Sequence, residues 1–544
     1  AVAFVEDVSV DNTRLGEYIV GLEKIKKDYG IEMYYYGHAG DGELHIRPFL
    51  DLSEPQDVEK MLGIAEDVFS LACSLGGSVS GEHAYGLVRS GFIKRQFGEE
   101  FYAVIRAVKE IFDPEGLLNP GKIINEQDSV LTANLKAGYR FDRNVLDGEL
   151  NFADGEVIDE LEKCNGCGLC LSHDENLRMC PVYRAVNQEL GSSCAKTNIL
   201  KALASGRIDE QAFNSPEFKK FLDLCINCKA CSVQCPAGVD ISKLITAARC
   251  RYLNNNKPVV SESLLSRNRY MSRLSSAFPA IANRVNRMSI ARAVMDKLVG
   301  LDREAPFPAF ESGSFVIAAR KHLAGHAPIA EPVDRVVYFA DTFVNFNDHE
   351  LGFSVINLLR QFNIEVVVPN QLPAPVPSMV YGRSRDARRQ LKYNAEQFIG
   401  FVRDGYKIIC SEPSAALCLR QELGHYIDRR QAEPISENTF ELMNYLGILD
   451  SQQKLKPALQ PSDESFLYHF PCHLLALQER TTTPQLLRSL CDADITNLDA
   501  GCCGLAGTFG MQSKNRDIYE KIASGLKEKL SDFKQDIVLT ECAA

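Results

Sequence analysis

No apolar run in this chain approaches the roughly 20 residues that a membrane-spanning helix needs. The start, "AVAFVED", lacks the charged and apolar regions of a secretory signal. It also lacks a methionine, which reads as processing or a missing front end. Positive charge is in deficit: 60 Lys and Arg stand against 72 Asp and Glu, a net charge of −12. That excludes a dedicated nucleic-acid binder. The local exception is the run from Arg251 to Lys297, where basic residues meet few acids. It reads first as a solvated helical face and second as docking on a membrane surface or an acidic partner. The 18 cysteines are not spread out as in a disulfide scaffold. Their clustered C-x-x-C spacing, in a long chain without export signals, means metal and reduced thiols. At 544 residues the chain is too long for one hydrophobic core, so three or four domains are expected.

The cysteines carry the sharpest signal. "CNGCGLC" gives Cys164, Cys167 and Cys170, followed by Cys180-Pro181; "CINCKACSVQCP" gives Cys225, Cys228, Cys231 and Cys235-Pro236. The second run is C-x2-C-x2-C-x3-C-P, and two such runs are the mark of a two-cluster ferredoxin, in which the fourth cysteine of each run serves the other cluster. Cys164, Cys167, Cys170 and Cys235 are therefore assigned to one [4Fe–4S] cluster, and Cys225, Cys228, Cys231 and Cys180 to the other. Nine residues separate Cys170 from Cys180 where three are usual. The competing reading, two zinc knuckles, leaves no use for triple C-x-x-C-x-x-C runs.

A second constellation lies nearer the start. "MYYYGHAGDGELHIRPF" has alternating flanks around Asp41-Gly42, a two-residue hairpin signal that sets His38 opposite His45. Directly opposed residues have Cβ atoms roughly 4.5–5.5 Å apart, close enough for two imidazoles to share a metal. "GGSVSGEHAYG" adds Glu82 and His83 in a glycine-rich loop. Two histidines and a carboxylate suit Zn²⁺, Mn²⁺ or Fe²⁺. Periodicity alone equally allows a hairpin whose histidines are ordinary cross-strand partners.

"GHAGDGELH", "GGSVSGEH" and "FDPEGLLNPGK", in that order, resemble the C-terminal domain of the FAD-linked 2-hydroxy-acid dehydrogenases of the vanillyl-alcohol-oxidase superfamily, over about residues 30–123. The resemblance implies that His38, His45 and Glu82 are ligands of a divalent metal, that His83 is the catalytic base, and that Asn119 lies near flavin and substrate. Where that family has glycine after its Glu-His pair, this chain has Ala84. The family's flavin domain lies upstream of this segment, and nothing in 1–30 resembles its phosphate loop, so residue 1 reads as the middle of a protein. Toward the other end, Cys472, Cys502-Cys503-Gly504 and Cys542 resemble the cysteine-rich "CCG" domain of heterodisulfide reductase and related iron–sulfur subunits, which implies a further iron–sulfur cluster. The alternative there is buried structural thiols. A similar strand–helix order from 331 reads as a first copy that has lost the chemistry, with Asp341 where Cys472 stands. The family's final C-x-x-C leads to the expectation that the gene continues past "VLTECAA" and that residue 545 is cysteine.

The expected fold is therefore multidomain, α+β and α/β. A ferredoxin-like α+β flavin-oxidase cap domain spans 1–125 and a linker 126–160. A mainly α-helical two-cluster ferredoxin domain spans 161–255, and a helical connector 256–330. A duplicated α/β CCG domain follows, with a degenerate copy at 331–430 and a truncated cysteine-rich copy at 431–544. The order resembles fused FAD/iron–sulfur D-2-hydroxy-acid dehydrogenases. It implies oxidation of a D-lactate, glycolate or D-2-hydroxyglutarate class substrate, with electrons passing through the clusters to a quinone or redox protein. The implied place is cytoplasmic, with the inner membrane face as a peripheral option and no nucleic-acid partner. The rival readings are an electron-transfer iron–sulfur subunit without its own dehydrogenase activity and, more weakly, a redox-inactive scaffold.

Overall fold

Helix α1 (Leu15–Tyr29) forms because Tyr18, Leu22 and Ile25 recur at helical spacing and bury one stripe, and it ends at Gly30 in the left-handed region. Helix α2 (Pro55–Ser74) starts with proline at its first position and buries Met61, Ile64, Ala65, Val68, Phe69 and Ala72. In the computed structural model the described residues are 2–52, 54–125, 130–133, 135, 145–146, 150–174, 176–455, 459–462, 464–478, 482–498, 500–533 and 537–543. Residues 126–129, 134, 136–144 and 147–149 of the linker expected at 126–160 lie outside them, as does Ala544 of the final motif. The chain divides into two units, Ala1–Arg140 and Phe141–Ala544. No helix among the described residues is long and apolar enough to cross a membrane.

In the first unit, α1 and α2 pack with a three-stranded antiparallel sheet in the order β1 (Val8–Ser9), β3 (Glu43–Pro48), β2 (Met33–Tyr36). The expected two-residue turn at Asp41-Gly42 is not what forms. Tyr36, not His38, pairs with His45. A six-residue connection, 37–42, joins the strands; Ala39–Asp41 makes one tight turn closed by Gly42 at φ +68°. The reason is that β3 is the central strand. The Gly42 carbonyl accepts the Val10 N–H at 2.9 Å as β1 joins, and a Cβ at Gly42 would lie 1.9 Å from the Val10 carbonyl oxygen.

The second unit opens with the cysteine loops and short helices of 150–255. Three helices follow, α3 (Asn268–Ala277), α4 (Pro279–Arg287) and α5 (Ser289–Val299). Two parallel sheets complete it. One has the order β5 (Ile364–Val367), β4 (Asp334–Phe339), β6 (Lys407–Cys410), β7 (Thr439–Glu441); the other has β10 (Ile537–Leu539), β8 (Ser465–His469), β9 (Asp494–Leu498). In each sheet the first strand in sequence lies between the next two. Strand β7 pairs with β6, so the first sheet runs past the division expected at 430. Tyr338 pairs with Ile409, and Tyr468 pairs with Leu539. Counting from these pairs, Thr342 falls where Cys472 stands, each opening a short helix, and Glu412 falls where Cys542 stands. The expected match of Asp341 to Cys472 is thus one residue out, because Asp341 is the helix cap and not its first residue.

Gly42→Ala is expected to destabilise the first unit by at least about 1–2 kcal/mol, the left-handed cost of a Cβ, before any clash. Gly40→Ala, with open space around its Cβ, should change little. Hydrogen exchange of the β1–β3 amides distinguishes the two.

Candidate functional site

Strand alternation puts Glu43, His45 and Arg47 on one face of β3. The 37–42 connection returns His38 to the same place: its ring centroid is 5.7 Å from that of His45. The loop after α2 brings Glu82 and His83. Glu82 Oε1 lies 3.6 Å from His38 Nε2, 3.7 Å from His45 Nε2 and 3.1 Å from His83 Nε2. Ligand atoms of His38, Glu43, His45 and Glu82 all lie within 4.8 Å of one another, and those of Glu6, His45 and His83 form a second such group. Two buried atoms here, Glu43 Oε1 and His45 Nδ1, have no hydrogen-bond partner and face each other at 3.8 Å. A buried unsatisfied polar atom costs about 1–3 kcal/mol. Two imidazoles and two carboxylates with such orphaned atoms fit a divalent cation of the zinc, manganese or iron type.

The loop is held by Asp7, a residue that sequence reasoning passed over. Asp7 is fully buried at φ +68°. Its Oδ1 accepts the backbone N–H groups of Glu82 (2.7 Å) and His83 (3.1 Å); its Oδ2 accepts the Ser80 hydroxyl (2.6 Å) and pairs with Arg89 Nη1 (3.0 Å). Burial alone would raise the Asp7 carboxyl, but these bonds outweigh it and hold it below the ordinary range. Glu43 is raised, by burial first and then by its hydrogen bond to Asp7 and the charge of Glu82. His83 Nδ1 lies 3.2 Å from Glu6 Oε1, and that bond raises the imidazole. Arg47 Nη2 is 2.7 Å from the other Glu6 oxygen. Ala84 sits at φ +65°, the conformation for which the related motif uses glycine, and its carbonyl accepts from Arg89. Asn119, at φ +46°, stands in an exposed turn, and among the described residues no hydrogen bond joins it to the cluster. Glu43 and Arg47 were legible as the residues flanking His45 at period two; Glu6 and Asp7 gave no signal.

In the second unit the two cysteine loops share one backbone. Gly166 and Asn227 take the left-handed region at one position, and Gly168 and Lys229 at the next but one. Cys180, Cys225, Cys228 and Cys231 line a single small pocket, together with Met179 and Lys196. The long loop before Cys180 is pinned by Gln234, whose Oε1 accepts the N–H groups of Arg178 (3.0 Å) and Met179 (2.9 Å). Cys235 follows Gln234 directly and is absent from that cavity's lining. Cys170 is buried and Cys167 exposed, with Cys164 between these extremes. Among the described residues no three cysteine sulfurs lie within 4.8 Å of one another. A single zinc with bonds of about 2.3 Å needs them that close; a larger cluster does not. Lys229 is buried, its Nζ 2.6 Å from Glu422 Oε1, and beside Cys231.

Cys502 lies beside Cys472 and Cys503, and the neighbouring Cys472 thiol is the largest cause that pushes the Cys502 thiol up to about 12. Gly504 makes this turn at φ +77°, where a Cβ would lie 2.7 Å from the Tyr519 carbonyl oxygen. Cys542 is half-buried behind β10. Next to it, Glu541 accepts the Tyr468 hydroxyl at 2.8 Å, and Ala543 N–H donates to Glu412 at 2.9 Å. His473 spans three segments: Nδ1 is 2.8 Å from Ser414 Oγ, and Nε2 is 3.2 Å from the Asn227 carbonyl oxygen in the second cysteine loop. Cys180, Cys228 and Cys502 pack on one apolar cluster of Val182, Ile226, Phe509 and Ile522.

Residues 1–123 match the FAD linked oxidases, C-terminal domain; 160–239 match the 4Fe-4S dicluster domain; 466–544 match the cysteine-rich domain. The chain carries all three domains. It is 25% identical to D-2-hydroxyglutarate dehydrogenase of Escherichia coli K12, over 95% of this chain and 54% of that protein. It is 28% identical to a subunit of the anaerobic glycerol-3-phosphate dehydrogenase of the same strain, over 56% of this chain and 76% of that subunit. D-lactate dehydrogenase of Archaeoglobus fulgidus is 37% identical over 22% of this chain and 26% of its own length. The chain spans about half the length of the D-2-hydroxyglutarate dehydrogenases it matches.

Asp7→Ala is expected to cost about 3–5 kcal/mol, since it leaves Arg89 without its buried partner. The amides of Glu82 and His83 should then exchange with solvent much faster, whereas Asp7→Asn, which tolerates the left-handed backbone, should have a smaller effect. Amide exchange in the first unit reads both.

Proposed function

We propose that this chain forms the substrate, metal and electron-transfer regions of an FAD- and iron–sulfur-dependent dehydrogenase of a D-2-hydroxy acid, in the D-lactate, glycolate or D-2-hydroxyglutarate class. The observation that carries this reading is the meeting of His38, His45, Glu82 and Glu43 beside a histidine backed by Glu6. A divalent metal on His38, His45 and Glu82, with Glu43 as a fourth donor, would polarise the substrate's hydroxyl and carboxylate. Bound FAD would supply the hydride acceptor for the substrate carbon, and bound [4Fe–4S] clusters would supply single-electron carriers.

The chain's own residues handle the proton. With Nδ1–H given to Glu6, and with Glu82, whose Oε1 lies 3.1 Å from Nε2, engaged by the metal instead, His83 would take the proton of the substrate hydroxyl on Nε2. Glu6, itself paired with Arg47, then stabilises the imidazolium. Asn119 is read as a flavin- and substrate-side residue on resemblance alone. For the clusters we assign Cys164, Cys167, Cys170 and Cys235 to one and Cys225, Cys228, Cys231 and Cys180 to the other; the shared cavity of the last four supports the crossed pairing. Cys472, Cys502, Cys503 and Cys542 are read as the cysteine-rich site that passes electrons to the acceptor, a quinone or a redox protein. The two parallel sheets are read as copies of one domain, because both place the first strand between the next two. The likeness to the glycerol-3-phosphate dehydrogenase subunit favours the second reading, an electron-transfer subunit without dehydrogenase activity. The assembled histidine–carboxylate cluster weighs against it.

In the holoenzyme, with a D-2-hydroxy acid as donor and a dye as acceptor, His83→Ala should lower turnover by roughly 10²–10⁴, and a fall of less than about threefold removes His83 as the base. No turnover with any such acid, in protein holding flavin and iron, favours the electron-transfer subunit.

Lys229 bears on the clusters as well. Its buried ammonium favours the more negative, reduced state of the cluster on Cys231. Lys229→Gln should therefore lower that cluster's midpoint potential by tens of millivolts, about 59 mV for each 1.4 kcal/mol in a one-electron couple. Potentiometry followed by electron paramagnetic resonance reads the shift; an unchanged or higher potential refutes it.

A further inference from the structure

Helices α3 to α5 are inside out. Their apolar side chains recur at i, i+4 and i+8, the spacing of a core-facing stripe, yet the stripe points to solvent. Leu274 is 61% exposed, Ile281 65%, Ile290 74% and Leu298 72%. Helix α4 buries no residue at all. The inward side is polar instead. Ser272, Ser276 and Arg292 are buried. The Arg292 guanidinium donates to the carbonyls of Asp302, Arg303 and Ala305, Asn283 exchanges hydrogen bonds with the backbone of Phe310, and Ser276 Oγ donates to the Phe346 carbonyl. The folded chain satisfies the polar side of these helices and leaves their apolar side bare.

The charge around the stripe is of one sign. No Asp or Glu occurs between Glu262 and Asp296, although the whole chain carries −12. Arg267, Arg273, Arg284, Arg287 and Lys297 are exposed beside the apolar residues. An apolar band bordered by arginines complements a surface that is apolar below and anionic at its rim. No helix here is long enough to span a bilayer, so the match is to lying on it.

We propose that α3–α5 form an interfacial docking face for an anionic lipid bilayer, with Leu274, Phe278, Ile281, Ile290, Val294 and Leu298 entering the headgroup boundary and the arginines meeting lipid phosphates. This fits an enzyme that hands electrons to a membrane-dissolved acceptor but does not depend on it.

The test is sedimentation of the full-length holoprotein with vesicles of phosphatidylcholine alone or mixed with phosphatidylglycerol. Binding to the mixed vesicles should be at least ~10-fold tighter, given about 1 kcal/mol for each basic residue near an anionic surface, and should weaken in high salt. Ile281→Glu and Ile290→Glu together should reduce binding at least tenfold, and so should Arg273→Gln with Arg284→Gln. The altered side chains are exposed, so circular dichroism and cluster absorbance should stay as in the parent. No sedimentation with the mixed vesicles overturns the proposal, as does equal partition into both kinds. Light scattering that finds a dimer broken by Ile281→Glu, with no lipid binding, overturns it in favour of a second copy as the occupant. Soluble capture of an acidic protein without lipid binding likewise overturns it.

Discussion

Asp7 is a carboxylate with no exposure to water, held in a backbone conformation that few non-glycine residues adopt. Such a group persists only where its surroundings supply every bond that water would. Here two of those bonds come from the backbone of Glu82 and His83, and the ionic partner is Arg89, which also holds the carbonyls of Glu6 and Ala84. The requirement to satisfy one buried charge thus fixes the loop that carries Glu82 and His83, and fixes it to the segment that carries Glu6. A histidine on a glycine-rich loop would otherwise sample many positions. Tethering both its backbone and its Nδ1 partner to the same anion removes that freedom.

The site's members could be named from sequence more easily than its construction. His38, His45, Glu82 and His83 stand in compact motifs, and the structure gathers all four. The path by which His38 arrives was misread, because the Asp-Gly turn signal describes an isolated pair of strands. Gly42 instead meets β1, and the turn lengthens to make room. Glu43 was passed over for a related reason. A carboxylate in a strand normally marks the solvent face, and only tertiary contacts reverse that. The cysteine loops could be located from spacing alone, and the match to the 4Fe-4S dicluster domain spans both of them. What spacing could not reveal is how a nine-residue excursion returns Cys180. Gln234, a polar residue with no motif of its own, does this by accepting two backbone N–H groups.

Lys229 illustrates how the second unit uses a charge. Taking both Lys229 and Glu422 out of water costs more than an apolar pair of similar size would, so such a pair is weak evidence for stability. Its position argues for another role. Lys229 sits inside the loop of Cys228 and Cys231, at the place where the sister loop has Gly168. A positive charge fixed there acts on whatever thiolate-bound group the loop holds, with little solvent to screen it.

Glu422 comes from the helical segment after β6, beside the sheet without the cysteine set. Glu412 and Ser414 open that segment, and reach the backbone of Ala543 and His473 respectively. Thr342 and Glu412 fall where the other sheet has Cys472 and Cys542. Burial, with the charge of Asp341 as the next cause, pushes Glu412 up to about 7. Oxygen groups thus stand in one sheet's loops at the positions where the other has thiols, on the same strand and helix geometry. The domain of β4–β7 still positions the lysine partner of one cysteine loop and two contacts of the cysteine-rich site, and those contacts require the β6-to-helix turn to stay as it is. Its fold is held by what it gives its neighbours.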